Sequence, residues 1–182
     1  MSAGTCDHPG VRRANPAGRP GRGNASPLRD IDRAPVLVMA VGNILRRDDG
    51  FADAVLRVLA EEDLPDAVEL FDAGTSIIDL MDVFHGRERL IVIDAVQGGR
   101  APGTLYRFSP EEVEAEALPT TSLHQAGLLE TLKLGELVGC RPRSAVVIGV
   151  QPGSTALGIG LTPEVEAAVS GAVKLVKKEL GL

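Results

Sequence analysis

The amino-acid sequence predicts an α/β protein: a three-layer α/β/α sandwich around a mostly parallel, twisted sheet of about five strands. Two observations carry this reading. Three short runs, Val36–Val41, Leu90–Ile93 and Ala145–Val150, are apolar without strict alternation, as strands buried on both faces are. Between them lie stretches whose apolar residues recur at helical spacing. The composition agrees. With no Trp, one Tyr and four Phe in 182 residues, the core must be built from Val, Leu, Ile and Ala.

Residues 1–34 are rich in Gly, Pro and Arg and lack apolar clusters, so they cannot bury enough surface to offset their ordering entropy. They read as a disordered tail before a single domain over residues 35–182. The first strand, from Val36, breaks at Gly42-Asn43 and gives way to an acidic turn with Asp48 and Asp49. Phe51, Val55, Val58 and Leu59 then mark a helix from about Gly50 to Asp63, ended by Pro65. Asp53 and Arg57 form an i,i+4 pair on its exposed side. Ala67–Phe71 reads as the second strand, ending at Asp72-Ala-Gly-Thr75. A short helix follows from Ser76 to about Phe84, with Gly86 as its C-cap. The third strand, Leu90–Ile93, runs straight into Asp94. The right-handed crossover rule places the ends of these three strands on one edge of the sheet.

Beyond a loop at residues 95–103, Thr104–Phe108 alternates and reads as an edge strand, to which an antiparallel pairing is open. Glu111–Glu116 is acidic surface of undefined structure. Ser122 and Gln125 stand at capping-box spacing before a helix that buries Leu128, Leu129 and Leu132 and runs to about Val138. Ala145–Val150 is a further strand, followed by a loop over 151–161. The last helix opens with Thr162 as N-cap, Pro163 at the first helical position, and Glu164 and Glu166 in the first turn. Val165, Val169, Ala172, Val173 and Val176 line its core face, and Lys174, Lys177 and Lys178 suit its C-terminal end.

Charge and cysteine content exclude several classes. The net charge is -6, yet residues 1–34 hold six Arg against three Asp, which leaves -9 for the remainder. An acidic body argues against a nucleic-acid surface. Cys6 and Cys140 form no CxxC pattern, which fits a reducing compartment and no disulfide framework. No apolar run approaches the roughly 18 residues of a membrane span. Arg12-Arg13 lacks the hydrophobic segment of an export signal, so a cytoplasmic protein is expected.

In an open α/β sheet, ligands bind at the carboxyl ends of the strands. Asp94 closes an apolar strand there, either to cap a local turn or to serve a site. Asp48 and Asp49 follow the neighbouring strand, where one could cap the helix while the other faces the cleft. His124 stands in the first turn of its helix, where the helix dipole favours a neutral, metal-ligating imidazole. His8 lies in the tail and His85 at a helix end, so only His124 can join the strand-end carboxylates. Two carboxylates and one imidazole suit a transition metal such as zinc, nickel or iron. The turn Ala40-Val-Gly42-Asn-Ile-Leu45 lacks the glycines of a dinucleotide fingerprint, and its carboxylates would repel a pyrophosphate. There is no GxSxG or P-loop. Ser122 with His124 makes a weak case for a serine hydrolase.

Together these pieces resemble the nickel-iron hydrogenase maturation proteases, which trim the C-terminal extension of the hydrogenase large subunit after metal insertion. The resemblance rests on seven motifs in order. They are Val41-Gly-Asn-Ile-Leu-Arg-Arg-Asp-Asp-Gly50, Asp72-Ala-Gly-Thr75, Leu90-Ile-Val-Ile-Asp94-Ala and Ala101-Pro-Gly-Thr104, then Ser122-Leu-His124-Gln, Ile148-Gly-Val-Gln-Pro152 and Gly160-Leu-Thr-Pro163. It implies that Asp49, Asp94 and His124 contact a metal and carry the catalysis. The family pattern has Gly where this chain has Ala73, and often Gly at Ala52. By this resemblance the metal is nickel already bound in the precursor, and no permanent cofactor is expected. The implied partner is a nickel-iron hydrogenase large-subunit precursor, and the enzyme is expected to be a monomer. Two other readings use the same fold: a non-hydrolytic nickel-binding maturation chaperone, and a small-molecule enzyme such as a nucleosidase. The scarcity of aromatics and the acidic turn count against the second of these.

Overall fold

A computed structural model describes residues 33–75, 81–112 and 123–182, without the side chains of residues 81 and 123–126. Five strands form one sheet: β1 (Val36–Ala40), β2 (Val68–Asp72), β3 (Arg89–Ala95), β4 (Leu105–Phe108) and β5 (Ser144–Val150). Their order is β2-β1-β3-β5-β4, with β4 antiparallel to β5 and every other pair parallel. The helices are α1 (Phe51–Ala60), α2 (Met81–Phe84), α3 (Leu123–Val138) and α4 (Pro163–Leu180).

The apolar runs are strands buried on both sides because their alternate residues feed two separate cores. On one face Val38, Ala40, Ile91, Ile93, Val146 and Ile148 pack against α1 and α4. On the other, Leu37, Met39, Leu90, Val92 and Val147 pack with Phe84 of α2 and with Leu128 and Leu132 of α3. This is the three-layer sandwich that the uniform strands predict.

Several boundaries differ from the sequence reading for local reasons. The first helix begins only at Phe51, because Arg47–Gly50 forms a 3₁₀ turn that carries both carboxylates. Its buried face includes Leu56, whereas Val58 is exposed. Asp53 and Arg57 pair at 2.9 Å as expected. Asp94 lies inside β3, in register with Gly149 of β5, so the strand continues one residue beyond the carboxylate. Thr162 holds the N-cap position of α4 without a capping bond from its side chain. Ser109 and Glu112 form a reciprocal capping box, the Ser109 N–H donating to the Glu112 carboxylate at 2.6 Å and the Glu112 N–H to the Ser109 hydroxyl at 3.3 Å. The expected Ser122–Gln125 capping box, the expected start of the second helix over residues 76–80, and the expected tail up to residue 32 lie outside the described residues. The described part opens at Arg33 and Ala34, and the Ala34 carbonyl accepts a bond from the buried Arg87 guanidinium at 2.5 Å.

Candidate active site

The strand order reverses between β1 and β3. β1 leads to β2 on one side and the chain then crosses to β3 on the other, so the carboxyl ends of β1 and β3 flank the switch point where α/β sheets bind ligands. The pairing Ala40 with Ile93 brings the two strands level there, and the Val41 N–H donates to the Ile93 carbonyl at 2.9 Å.

The acidic turn is folded back onto the end of β1. The Asn43 N–H donates to the Asp49 carbonyl (3.1 Å), the Arg46 N–H to the Asn43 carbonyl (2.9 Å), and the Leu45 N–H to the Asn43 side-chain oxygen (2.9 Å). Gly42 makes this closure possible. Its φ is +150°, and a Cβ there would stand 2.0 Å from the Asp49 carbonyl oxygen. The partly buried Asp49 is thereby held beside the β1–β3 edge, and the 3₁₀ turn packs against β3.

Asp48, its neighbour, does something the sequence does not announce. The expectation was that one carboxylate would cap the following helix, but the N-cap of α1 is Gly50, with no side-chain bond. Asp48 is instead fully buried and reaches across to the loop after β5. Its Oδ2 accepts the N–H groups of Gly153 and Ser154, both at 2.8 Å, and the Thr162 hydroxyl at 3.0 Å. Its Oδ1 accepts the Thr162 N–H at 2.6 Å. Burial pushes this carboxyl up, but the bonds from Thr162, Ser154 and Gly153 outweigh it and hold it below the ordinary carboxylate range. Asp48 thus serves as the anion at the start of α4, where the helix dipole favours it.

Asp94 is buried, and its Oδ1 accepts the Ala95 N–H at 2.8 Å, which fixes the side chain's rotamer. By strand alternation it belongs to the face of Leu90 and Val92, the one covered by α3. The backbone of His124 lies in the first turn of α3. Five residues join the end of α3 to the start of β5 at the amino edge, and a 16-residue helix spans about 24 Å, so that first turn lies back toward the carboxyl edge. The side chain of His124 lies outside the described ones. Among the described residues, which do not include the His124 side chain, no group of three His, Cys, Asp or Glu side chains could hold a metal.

Two further features shape the edge. Asp72, at the end of β2, accepts the Gly74 N–H at 2.9 Å; Gly74, not Ala73, takes the positive φ of that turn, so alanine is accommodated at 73. Gln151, buried at the end of β5, ties down the loop after β3. Its Oε1 accepts the Tyr106 hydroxyl (2.8 Å) and the N–H groups of Gly98 (2.9 Å) and Arg100 (3.2 Å). Cys140 is a buried free cysteine between α3 and the start of β5, on the opposite edge from the carboxylates, and burial pushes its thiol up.

No described helix is long and apolar enough to cross a membrane. Residues 54–179 match the family model of the hydrogenase maturation proteases. The hydrogenase 2 maturation protease of Escherichia coli K12 is 37% identical over 143 residues, which are 78% of this chain and 87% of that protein. The structure of the hydrogenase maturating endopeptidase HybD from E. coli superposes with a TM-score of 0.73 at 37% identity, over 80% of this chain and 91% of that one. The NiFe hydrogenase maturation protease HybD from Thermococcus kodakarensis gives a TM-score of 0.67 at 33% identity, over 79% and 97%. On this agreement of sequence and fold, in a match that runs from the first helix to the last, the chain belongs to the hydrogenase maturation protease family, whose members are endopeptidases.

Proposed function

We propose that this endopeptidase removes the C-terminal extension of a nickel-iron hydrogenase large-subunit precursor after nickel insertion, and that it recognises the nickel held in that substrate. One observation supports the reading above others. Asp49, in the 3₁₀ turn that follows β1, and Asp94, within β3, stand at the switch point of the sheet; backbone bonds hold the turn that carries Asp49, and the Ala95 N–H bonds the Asp94 carboxylate. Together with His124 they supply two carboxylates and an imidazole, a donor set suited to nickel.

In this scheme the three residues bridge to the substrate's nickel, so that only a loaded precursor is held in register. A carboxylate then takes a proton from the water that attacks the scissile carbonyl and returns it to the amine nitrogen as the C–N bond breaks, while a backbone donor, or the substrate's own nickel, would stabilise the tetrahedral oxyanion. Cys140 is buried at the opposite edge of the sheet from Asp94 and takes no part in that route. In this reading the enzyme acts as a monomer in the cytoplasm.

The test is cleavage of a purified large-subunit precursor, with and without nickel, by wild type and by Asp94→Ala. Shortening of the loaded precursor alone, lost in the variant, supports the scheme. Binding of the loaded precursor without shortening would instead favour a maturation chaperone. Cleavage that ignores nickel and survives Asp94→Ala would remove the trio from the mechanism.

A further inference from the structure

Two loops flank the acidic turn and are stitched to each other. The Gly158 N–H donates to the Leu45 carbonyl and the Arg47 N–H to the Gly158 carbonyl, both at 2.9 Å, and Arg46 forms a parallel bridge with Gly158. Below this junction Asp48 clamps the second loop through Gly153, Ser154 and Thr162. Arg47 is held at a φ of +45°, a conformation that a bulky residue keeps only where the surroundings impose it. The two loops form one ordered lip.

That lip spends its order on exposing apolar surface. Ile44 is 50% exposed, Leu45 56%, Leu157 81% and Ile159 85%. Nine large hydrophobic side chains are exposed among the described residues, and these four lie on just two loops that bond to each other. An aliphatic group left in water gains nothing for the fold, and a cluster of them on a rigid support marks a contact surface. Its place identifies the occupant. Leu45 belongs to the same hydrogen-bonded turn as Asp49, so the lip is continuous with the candidate catalytic edge, where a polypeptide delivered to Asp49 would meet it.

We propose that this lip docks an aliphatic segment of the precursor polypeptide beside the scissile bond. The inference rests on the protease reading above and adds to it a surface that selects the protein rather than its metal. Ile44, Leu45, Leu157 and Ile159 bind through apolar burial, and take no part in the bond-breaking step.

The experiment compares wild type, Leu157→Ser/Ile159→Ser and the conservative Leu157→Met/Ile159→Val on purified nickel-loaded large-subunit precursor, reading KM and kcat separately. Thermal melting serves as the folding control, since both side chains are exposed and all three proteins should melt together. The serine pair should raise KM by roughly tenfold to a hundredfold with kcat little changed, and the conservative pair should stay near wild type. An unchanged KM in the serine pair, with wild type cleaving normally, overturns the docking proposal while the protease reading stands. Failure of the wild type to cleave the loaded precursor overturns the protease reading and the docking proposal with it. If sedimentation shows that the wild type self-associates through the lip, that the serine pair does not, and KM is the same in both, the occupant is a second copy and the proposal falls.

Discussion

Replacing Asp48 by asparagine should unfold the carboxyl edge from its anchor, although the change is one atom in size. The carboxylate accepts four hydrogen bonds, three of them from backbone N–H groups. Asparagine keeps one acceptor oxygen. If that oxygen takes the place of Oδ2, the amide NH₂ faces the Thr162 N–H across 2.6 Å, donor against donor. One charge-assisted bond is lost, worth about 1.5–3 kcal/mol, and the others weaken to neutral strength. Relief of the buried charge offsets part of this. The net cost is about 2–4 kcal/mol, or roughly 6–12 °C in Tm for a domain of about 150 residues. The pH dependence provides a second readout. The folded-state carboxyl lies below its unfolded value, so its stabilisation is complete above the unfolded pKa of about 3.9 and is lost as pH falls through the folded pKa. Thermal melts followed by circular dichroism from pH 7 to about pH 3 should therefore show the gap between wild type and variant closing in acid. A variant that melts within about 1 °C of wild type at pH 7, with the same acid slope, would refute the assignment of Asp48 as the anchor.

Other expectations are as specific. Asp49→Asn, one residue along, should do the opposite of Asp48→Asn: a Tm close to wild type by the same melts, with cleavage of loaded precursor reduced by roughly 10²–10⁴. Gly42→Ala should both destabilise the fold, by about 2–4 kcal/mol in a urea titration, and abolish cleavage, because its Cβ would displace the Asp49 carbonyl that closes the turn. Glu179 of α4 is mostly buried and bonds Arg107 at 2.7 Å as well as Arg89, and the Arg107 bond chiefly holds its carboxyl below the usual value. Glu179→Gln should cost about 1–2 kcal/mol at pH 7 in the same titration, with the arginines' own exposure limiting the effect. That contribution is present above the unfolded pKa of about 4.3 and fades as pH falls through the folded one, so the two proteins should converge in acid.

Much of the architecture is written locally. A strand buried on both faces leaves no polar alternation, and Val36–Ala40, Arg89–Ala95 and Ser144–Val150 carry that mark within single segments. The spacing of Val165, Val169, Ala172, Val173 and Val176 sufficed for the core face of the last helix, because a helix repeats its own contacts every turn. Asp94 could be read as a strand-end carboxylate, and Asp49 as part of a turn after a strand, from their neighbours alone. The Ser109–Glu112 capping box carries an equally local mark, a Ser-x-x-Glu spacing.

What the sequence by itself determined, then, is the set of strands and helices, the edge where the carboxylates gather, and the family likeness. The family likeness singles out Asp49 for the site, but only the tertiary structure shows what its neighbour Asp48 does instead. Asp48 and Asp49 are indistinguishable by residue type and nearly so by position, and the partners that separate them, Gly153, Ser154 and Thr162, lie more than 100 residues away. The same holds for the paired loops that expose Leu45 and Ile159, and for Gln151 reaching back to Gly98 and Tyr106. Periodicity reports which face of an element is buried. It carries no information about which distant backbone group a buried polar side chain will meet, since that depends on how the layers close around the sheet.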